Sequence, residues 1–362
     1  MKSRTFLLGF LAFSVLFAGL IMTFTFIFDP FQFYRKATWY EPLFSMEERF
    51  QNPGLARNYD YDTIIVGSSM TQNFVPSYVD KALGGKTMKL SMEGSTSKEH
   101  NLIANVAIRT GKVEKVIWGL DYFSLRGGAD NVRDDQGGFP SFFYDENPFN
   151  DAKYLFNLTT VKEMIKIGKG MVSGDRKAKN LDMLNNWHAY AKYDADQVLK
   201  NYEAAKAMEV GFGKNEDDLE SVRSTFEKNI LELVRAHPEI EFSFYYPPYS
   251  VLRQEVWYSL NKKRYENTDY MRKYMVEKLT ALPNAKVYDF QAVKSITFDL
   301  NVYKDISHHS QKVNEFIIDS IANDQHRATA ENIDELNTAL TEQVSNLDAT
   351  VFDSEGTEAV KQ

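Results

Sequence analysis

A chain of 362 residues with 43% hydrophobic and 14% aromatic residues can bury a substantial core and is not broadly disordered. Its net charge of −8 is concentrated in residues 325–362, which contain eight acidic and two basic residues, so the rest of the chain is nearly neutral. A near-neutral body argues against nucleic-acid binding, and the absence of cysteine excludes disulfides, thiolate zinc sites and a cysteine nucleophile.

The first predicted element is an apolar helix. Residues Phe6–Phe28 carry no charge, and a helix of that length spans roughly 35 Å, enough to cross a hydrocarbon core of about 30 Å. The apolar run continues past Ala18 and Gly19, whereas that of a cleaved signal peptide covers only about 7–15 residues. We therefore predict an uncleaved single-pass anchor in the cell membrane, with residues 1–5 in the cytoplasm and the domain outside it. A cleaved signal peptide is the alternative.

Strands and helices alternate over residues 61–323, after a juxtamembrane connector at 29–60. The predicted strands are Thr63–Val66, Thr87–Met92, Lys115–Tyr122, Glu241–Tyr246 and Lys286–Phe290. The predicted helices are Pro76–Leu83, Ser97–Thr110, Asp217–Ala236, Asp269–Ala281 and Ser307–Ala322. This alternation is typical of an α/β domain with a parallel sheet that helices cover on both faces.

Two segments depart from this alternation. Residues 125–215 form an insertion with helices near Leu155–Gly170 and Asp194–Met208, and this insertion is either a lid over the site or an ordinary helical subdomain. Residues 324–362 are polar and acidic, with a weak leucine periodicity, so we predict a disordered or loosely helical tail that is dispensable. The alternative for the tail is that its large apolar residues dock on the body; these are Leu336, Leu340, Leu347 and Phe352.

Side chains suited to nucleophilic catalysis follow the predicted strands, where open α/β sheets place their sites. Ser69 follows the first strand in Gly67-Ser68-Ser69, and Asp305 precedes His308 by three residues near the last helix. A serine hydroxyl needs a base to act as a nucleophile, and an aspartate can orient a histidine for that task. The alternatives are a phosphate-binding turn without catalysis and a competing role for His309 as the base.

The segments IIVGSSMTQNF and DISHHSQKVNEFI resemble blocks one and five of the SGNH (GDSL) hydrolase superfamily. The resemblance implies a three-layer α/β/α fold over about residues 60–323. It implies Ser69 as the nucleophile, Asp305 and His308 as the rest of the triad, and Ser69 and Gly94 as backbone donors of the oxyanion hole. Two residues depart from the pattern. Ser68 replaces the usual aspartate, and Asp121 stands where an asparagine supplies a third oxyanion donor, so Asn73 is a candidate substitute.

The single anchor and the GSS block look most like the envelope branch of that superfamily, which includes the D-alanyl transfer protein of teichoic acid modification and the alginate O-acetylation proteins. This resemblance implies an extracytoplasmic serine O-acyl esterase or O-acyltransferase that acts on an envelope polysaccharide or teichoic acid through an acyl-serine intermediate. It implies no cofactor or metal, and a membrane-bound O-acyltransferase as a candidate partner. Asp121, Tyr246 and Tyr249 are candidates for lining the substrate groove.

The alternative function belongs to another class. The domain is then a non-catalytic SGNH-like scaffold that binds a glycan or an acyltransferase partner. Asp121 in place of asparagine favours this alternative, because a carboxylate cannot donate a hydrogen bond to an oxyanion.

Overall fold

A mostly parallel β-sheet forms the centre of the protein, whose computed structural model describes residues 2–40, 42, 44–134, 138–173, 180–212, 216–348 and 352. Within those residues the sheet has six strands in the order β2–β1–β3–β4–β5–β6. They are β1 (Thr63–Val66), β2 (Thr87–Lys89), β3 (Lys115–Gly119), β4 (Glu241–Tyr246), β5 (Ala285–Asp289) and β6 (Arg327–Ala328). Strands β1–β5 pair in parallel, and β6 runs antiparallel to β5.

Helices connect and follow these strands. The first seven are α1 (Lys2–Phe28), α2 (Glu48–Asn58), α3 (Pro76–Leu83), α4 (Ser97–Ile108), α5 (Ala152–Leu155), α6 (Leu158–Ser173) and α7 (Ala195–Phe212). The others are α8 (Leu219–Phe226), α9 (Glu232–Ala236), α10 (Val251–Leu260), α11 (Lys262–Thr280), α12 (Lys294–Thr297), α13 (Gln311–Ala322) and α14 (Ile333–Ser345). A π-helical stretch at Glu227–Leu231 joins α8 to α9, which together form the helix predicted at Asp217–Ala236.

The predicted elements agree with the structure except at some of their ends. The bounds of β1, β4 and α3 are as predicted, while β2 and β3 are shorter. The predicted end of β2 still pairs, because the N–H groups of Leu90 and Met92 donate to the carbonyls of Ile65 and Gly67 at 2.9 and 3.0 Å. Helix α13 begins four residues later than predicted, since Ser307–Ser310 form a loop in which the Ser310 N–H donates to Val302 O at 2.8 Å.

Side chains along each strand alternate between two hydrophobic cores on opposite faces of the sheet. On β1, Ile64 and Val66 belong to core one, to which α2, α4, α8 and α9 contribute. Ile65 belongs to core two, to which α3, α10, α13 and α14 contribute. Both faces of the sheet are therefore covered by apolar side chains, and the polar sites are left to the strand ends.

The segment at residues 29–60 is part of the domain, and its prediction as a connector is wrong. Phe31 and Leu55 are fully buried in core one, and α2 packs against α4. Arg49 of α2 also forms an ion pair with the buried Glu99 of α4 at 2.7 Å. The domain therefore begins about thirty residues before the predicted boundary at residue 61, because core one is incomplete without these aromatic and aliphatic residues.

The predicted disorder of the acidic tail is wrong for the described residues up to 348. Arg327 and Ala328 pair with β5, and α14 buries Ile333, Leu340 and Val344 against the body. Phe352 is also buried, in core two. The net charge hid an amphipathic helix whose acidic residues lie on the exposed face. The remaining predicted tail, 349–351 and 353–362, lies outside the described residues.

Helix α1 stands apart from the rest of the fold. Over Ser3–Phe28 it is long and apolar enough to cross a membrane, and its most apolar stretch is not buried inside the protein. A signal sequence near the N-terminus can meet the same criteria of length and composition. Only its C-terminal turn is packed, where Thr25 and Phe28 are buried against the domain.

Candidate active site

Ser69, His308 and Asp305 form a continuous chain of hydrogen bonds at the carboxyl end of β1. Ser69 opens a short 3₁₀ turn directly after the strand. Its Oγ lies 2.9 Å from Nε2 of His308, and Nδ1 of the same ring lies 2.8 Å from Oδ2 of Asp305. The sequence places Ser69 and His308 239 positions apart, so the contact depends on the folded sheet and the loop before α13.

The environment of Asp305 keeps it ionised. Burial raises the pKa of Asp305. Hydrogen bonds from the His308 ring, the charge of that ring and hydrogen bonds from the backbone N–H groups of His308 and Ser307 lower it. The lowering effects outweigh burial, so the pKa lies well below its usual range. Those two backbone bonds to Oδ1 measure 2.9 and 2.8 Å. An ionised carboxylate accepts the Nδ1–H proton, so Nε2 of His308 is left to accept a proton from Ser69.

His309, the competing base, points away from this chain. It is 2% exposed, and burial lowers the pKa of its ring to about 3. Tyr303 and His309 form an isolated backbone bridge, which turns consecutive side chains of the loop to opposite sides. The one-residue difference between His308 and His309 therefore separates a ring in the cavity from a ring in the core.

The two residues predicted to supply backbone N–H donors lie at the same cavity. Ser69 and Gly94 both line it, and neither amide N–H donates a hydrogen bond to another described residue. Gly94 adopts a left-handed φ of 57°, and a Cβ there would overlap the guanidinium of Arg133. Only glycine fits this turn without strain. The buried carboxylate of Glu48 accepts from the Glu93 N–H and so holds the preceding residue of the loop.

Asn73 does not face the cavity. It is fully buried, its Oδ1 accepts from the His188 N–H at 3.0 Å, and its Nδ2 lies 3.5 Å from the His309 carbonyl. The structure therefore gives no support to Asn73 as an oxyanion donor. Its amide instead ties the turn after β1 to the insertion and to the loop before α13.

Asp121 accepts three hydrogen bonds and forms a second polar cluster in the cavity. Its donors are Ser68 Oγ at 2.9 Å, Tyr249 OH at 2.7 Å and the Phe123 N–H at 3.1 Å. The two departures from the superfamily pattern thus touch each other, with Ser68 donating to Asp121. Tyr249 and Asp121 line the cavity as predicted, whereas Tyr246 is wrongly predicted, because it is buried in core one and donates to the Arg272 carbonyl.

Trp187 of the insertion touches both ends of the Ser69–His308 contact. Its indole Nε1 donates to the Ser69 carbonyl at 3.3 Å, and its ring meets the His308 ring edge-on with centroids 5.6 Å apart. The ammonium group of Lys304 lies over the Trp187 ring, 4.2 Å from its centroid. The sequence analysis missed Trp187, because a single tryptophan in an irregular segment carries no spacing signal.

The cavity is an open groove of about 700 Å³. Three arginines line it, Arg126, Arg133 and Arg253. Arg253 donates its Nε to Ser307 Oγ at 2.9 Å, beside His308, and no described carboxylate forms an ion pair with it. Arg126, in contrast, pairs with Asp217 at 3.3 Å. The groove is wide enough for a substrate larger than a small acetate ester, and it is lined by charged and hydroxyl-bearing side chains together with apolar ones.

Comparison with known proteins gives no information about the reaction at this site. No protein-family model and no curated protein matches the chain. Among solved structures, the chain is similar to a Streptococcus pneumonia protein described as a candidate platelet activating factor, with 10% identity and a TM-score of 0.35 over 77% of this chain and 90% of that one. A likeness this low carries no argument about function.

Proposed function

We propose that the protein is a serine O-acyl esterase or O-acyltransferase with an SGNH-like three-layer fold, held at the outer face of the cell membrane by α1. The observation that carries this proposal is the unbroken chain from Asp305 through His308 to Ser69, with Ser69 open to the groove. A histidine oriented by an ionised carboxylate and in contact with a serine hydroxyl is the arrangement that nucleophilic catalysis by serine requires.

In the proposed reaction, Ser69 Oγ attacks the carbonyl carbon of an acyl ester while His308 Nε2 takes the hydroxyl proton. The N–H groups of Ser69 and Gly94 donate to the oxyanion that forms. The ester C–O bond then breaks, the leaving alcohol takes the proton from His308, and the acyl group remains on Ser69. Water or a sugar hydroxyl next gives its proton to His308 and attacks the acyl-serine. The bond between the acyl carbon and Ser69 Oγ then breaks, His308 returns the proton to Ser69 Oγ, and an acid or a new ester is released.

The proposed substrate is an envelope polysaccharide or teichoic acid, because α1 has the length of an anchor and the open groove is lined in part by arginine and hydroxyl side chains. A membrane-bound O-acyltransferase is the proposed partner on the transfer route. Hydrolysis and transfer differ only in whether water or a sugar hydroxyl attacks the acyl-serine. The ratio of free acid to acylated sugar formed by the full chain from an aryl ester in the presence of a glycan distinguishes them.

The second candidate function is a non-catalytic scaffold that binds a glycan or an acyltransferase. One observation favours it: Asp121 occupies the place of a third oxyanion donor and accepts three hydrogen bonds. A site with two backbone donors still stabilises an oxyanion. In another serine enzyme, removal of one oxyanion donor lowers kcat by about 10²–10³. The scaffold hypothesis therefore predicts no acyl chemistry at all, and the esterase hypothesis predicts slower but measurable chemistry.

Covalent labelling tests the choice. The full chain in detergent is treated with a fluorophosphonate probe, and the labelled peptide is identified by mass spectrometry. We expect labelling of Ser69, its loss in Ser69→Ala, and its retention in Ser124→Ala, a matched control because Ser124 also lines the cavity. A folded protein that shows no label at Ser69 would leave the scaffold function as the better explanation.

A further inference from the structure

Helix α6 has two apolar faces, and only one of them is covered by the protein. On the covered face, Met164 and Ile167 pack against Phe28 and Tyr40 in a small separate core. This contact places α6 against the last turn of α1. A helix at the surface of a domain usually has one apolar face, which packs against the core, whereas a helix in the interior is apolar all round. A second apolar face that is exposed therefore needs an explanation.

The exposed face of α6 is a stripe of three large apolar side chains. Leu158, Ile165 and Val172 have exposed fractions of 69%, 54% and 91%. Residues seven positions apart in a helix differ by about 20° in direction, so the three lie in one line along the helix. Lys162, Lys166 and Lys169 lie beside this stripe on the exposed surface, with Lys166 also 3.3 Å from Glu163.

The length of α1 locates this stripe relative to a bilayer. Its 27 residues span ~40 Å as a helix, against about 30 Å of hydrocarbon and 40–45 Å with the headgroups. The last turn of α1, where α6 packs, therefore lies among the headgroups when α1 crosses the membrane. Trp39 is 56% exposed and packs edge-on against Phe28 with centroids 5.3 Å apart, and tryptophan is enriched at that depth in membrane proteins.

We propose that α6 lies in the headgroup layer of the membrane, with Leu158, Ile165 and Val172 inserted toward the acyl chains and the flanking lysines in contact with anionic lipid phosphates. This inference rests on the anchoring by α1 that is part of the proposed function. Continuity with α1 favours lipid over a protein partner as the occupant of the stripe, and so does the position of the lysines, whose long stems let the charge reach the headgroups while the apolar line is buried.

Attachment through both α1 and α6 fixes the orientation of the domain on the membrane. A single helix leaves a folded domain free to rotate and tilt on the bilayer, whereas α1 and α6 together hold it in one orientation. Anionic lipid adds to the attachment, because lysines near such a surface are attracted to its negative charge. The groove is then presented to a membrane-associated polymer in a constant direction.

The absence of cysteine from the chain allows a direct test with single-cysteine variants of the full chain. An environment-sensitive fluorophore is attached at Ile165→Cys or Val172→Cys, and the protein is reconstituted into vesicles of phosphatidylcholine with and without phosphatidylglycerol. Phe17→Cys reports on α1. Glu277→Cys is the aqueous control, since it is exposed on α11, which packs against β5, α8, α10 and α14.

We expect blue-shifted emission from residues 165 and 172 that spin-labelled lipids quench and aqueous iodide does not, with the opposite pattern at 277. The shift should grow with phosphatidylglycerol and lose that growth when Lys162, Lys166 and Lys169 are replaced by Gln. A lipid-exposed label at residue 17 with an aqueous label at 165 overturns the α6 inference and leaves the anchor. Aqueous labels at both positions overturn the anchor itself. Shielding at 165 that disappears on dilution with lipid shows a second copy, not lipid, on the stripe.

Discussion

The two carboxylates beside the groove, Asp305 and Asp121, differ in the groups that donate hydrogen bonds to them. Asp305 accepts from the His308 ring, which passes the contact on to Ser69 and hence to the open groove. Asp121 accepts from Ser68, Tyr249 and a backbone N–H, and each of these donors ends at the carboxylate. The difference is that the donor to Asp305 is a ring that also contacts the Ser69 hydroxyl, whereas the donors to Asp121 are two hydroxyls and a backbone N–H.

The largest expected effect comes from breaking the Asp305 chain at its reacting end. Ser69→Ala and His308→Ala should each reduce aryl acetate hydrolysis by the full chain by at least about 10³-fold, and the double variant should be no slower, since the residues act as a unit. Initial rates in detergent solution measure this. Substantial activity in Ser69→Ala combined with loss in Ser68→Ala would show that the wrong serine was assigned.

Replacing Asp305 with Asn should have the next largest effect. The change keeps the shape of the side chain but removes the charge that orients His308, and the corresponding change in a serine protease triad costs about 10⁴ in kcat. We expect a loss of about 10²–10⁴ in kcat with a smaller change in KM. A variant whose kcat is nearly unchanged would place Asp305 in a structural role like that of Asp121.

The same variant has a pH signature in stability. The pKa of Asp305 is lower in the folded protein than its ordinary value, which is about 3.9 for an unfolded chain. The ionised carboxylate therefore contributes stability that is fully present above pH 4 and is lost as the pH falls through the lower folded pKa. The difference in melting temperature between wild type and Asp305→Asn should shrink as the pH is lowered from 6 to 3. A constant difference would contradict it.

Removing the other carboxylate should affect stability more than turnover. Asp121→Ala leaves the hydroxyls of Ser68 and Tyr249 without their acceptor, and both residues are buried. Unsatisfied buried groups cost about 1–3 kcal/mol each. We expect a melting temperature lower by several degrees and a kcat reduced by less than about tenfold. A loss of turnover as large as that of Asp305→Asn, with unchanged stability, would move Asp121 into the reaction.

Substitution of Trp187, which contacts the site from the insertion, should have the smallest effect on kcat. Trp187→Phe keeps an aromatic ring against His308 and removes the N–H that donates to the Ser69 carbonyl. A single neutral hydrogen bond contributes about 0.5–1.5 kcal/mol, so kcat should fall by about two- to tenfold. The kcat of Trp187→Ala should be lower still, because this change also removes the ring contact with His308. Equal rates for the Phe and Ala variants would mean that the ring contact has no effect on turnover.

Local signals in the sequence mark the three residues of the predicted triad. Asp305 and His308 are three residues apart, and Ser69 directly follows a β-branched strand, so short-range spacing was enough to choose them. The structure brings these three side chains together, and their catalytic role stays a prediction. Asn73 is a candidate only by its nearness to Ser69 in the sequence, and Tyr246 by its position at the end of β4. Both side chains turn toward the interior, because the direction of a side chain at a strand end depends on the packing around it.

Average composition is a poor guide to structure at both ends of the domain. The tail was predicted as disordered from its charge, yet α14 buries Ile333, Leu340 and Val344 on one side. The segment at 29–60 looked irregular, yet Phe31 and Leu55 complete core one. In each case a few apolar residues at helical or turn spacing outweigh a polar average, because burial depends on which residues face the core and not on how many there are.

What the sequence determined by itself is the order of strands and helices, the apolar α1 and the local pairs and turns that carry reactive groups. These depend on periodicity and on residues within one or two turns of each other. The tertiary structure alone decided that Ser69 meets His308, that Asp121 is saturated by Ser68 and Tyr249, and that Trp187 reaches the site from the insertion. Those contacts join residues separated by 53 to 239 positions, and only the packing of the sheet and its loops brings such distant side chains within hydrogen-bonding distance.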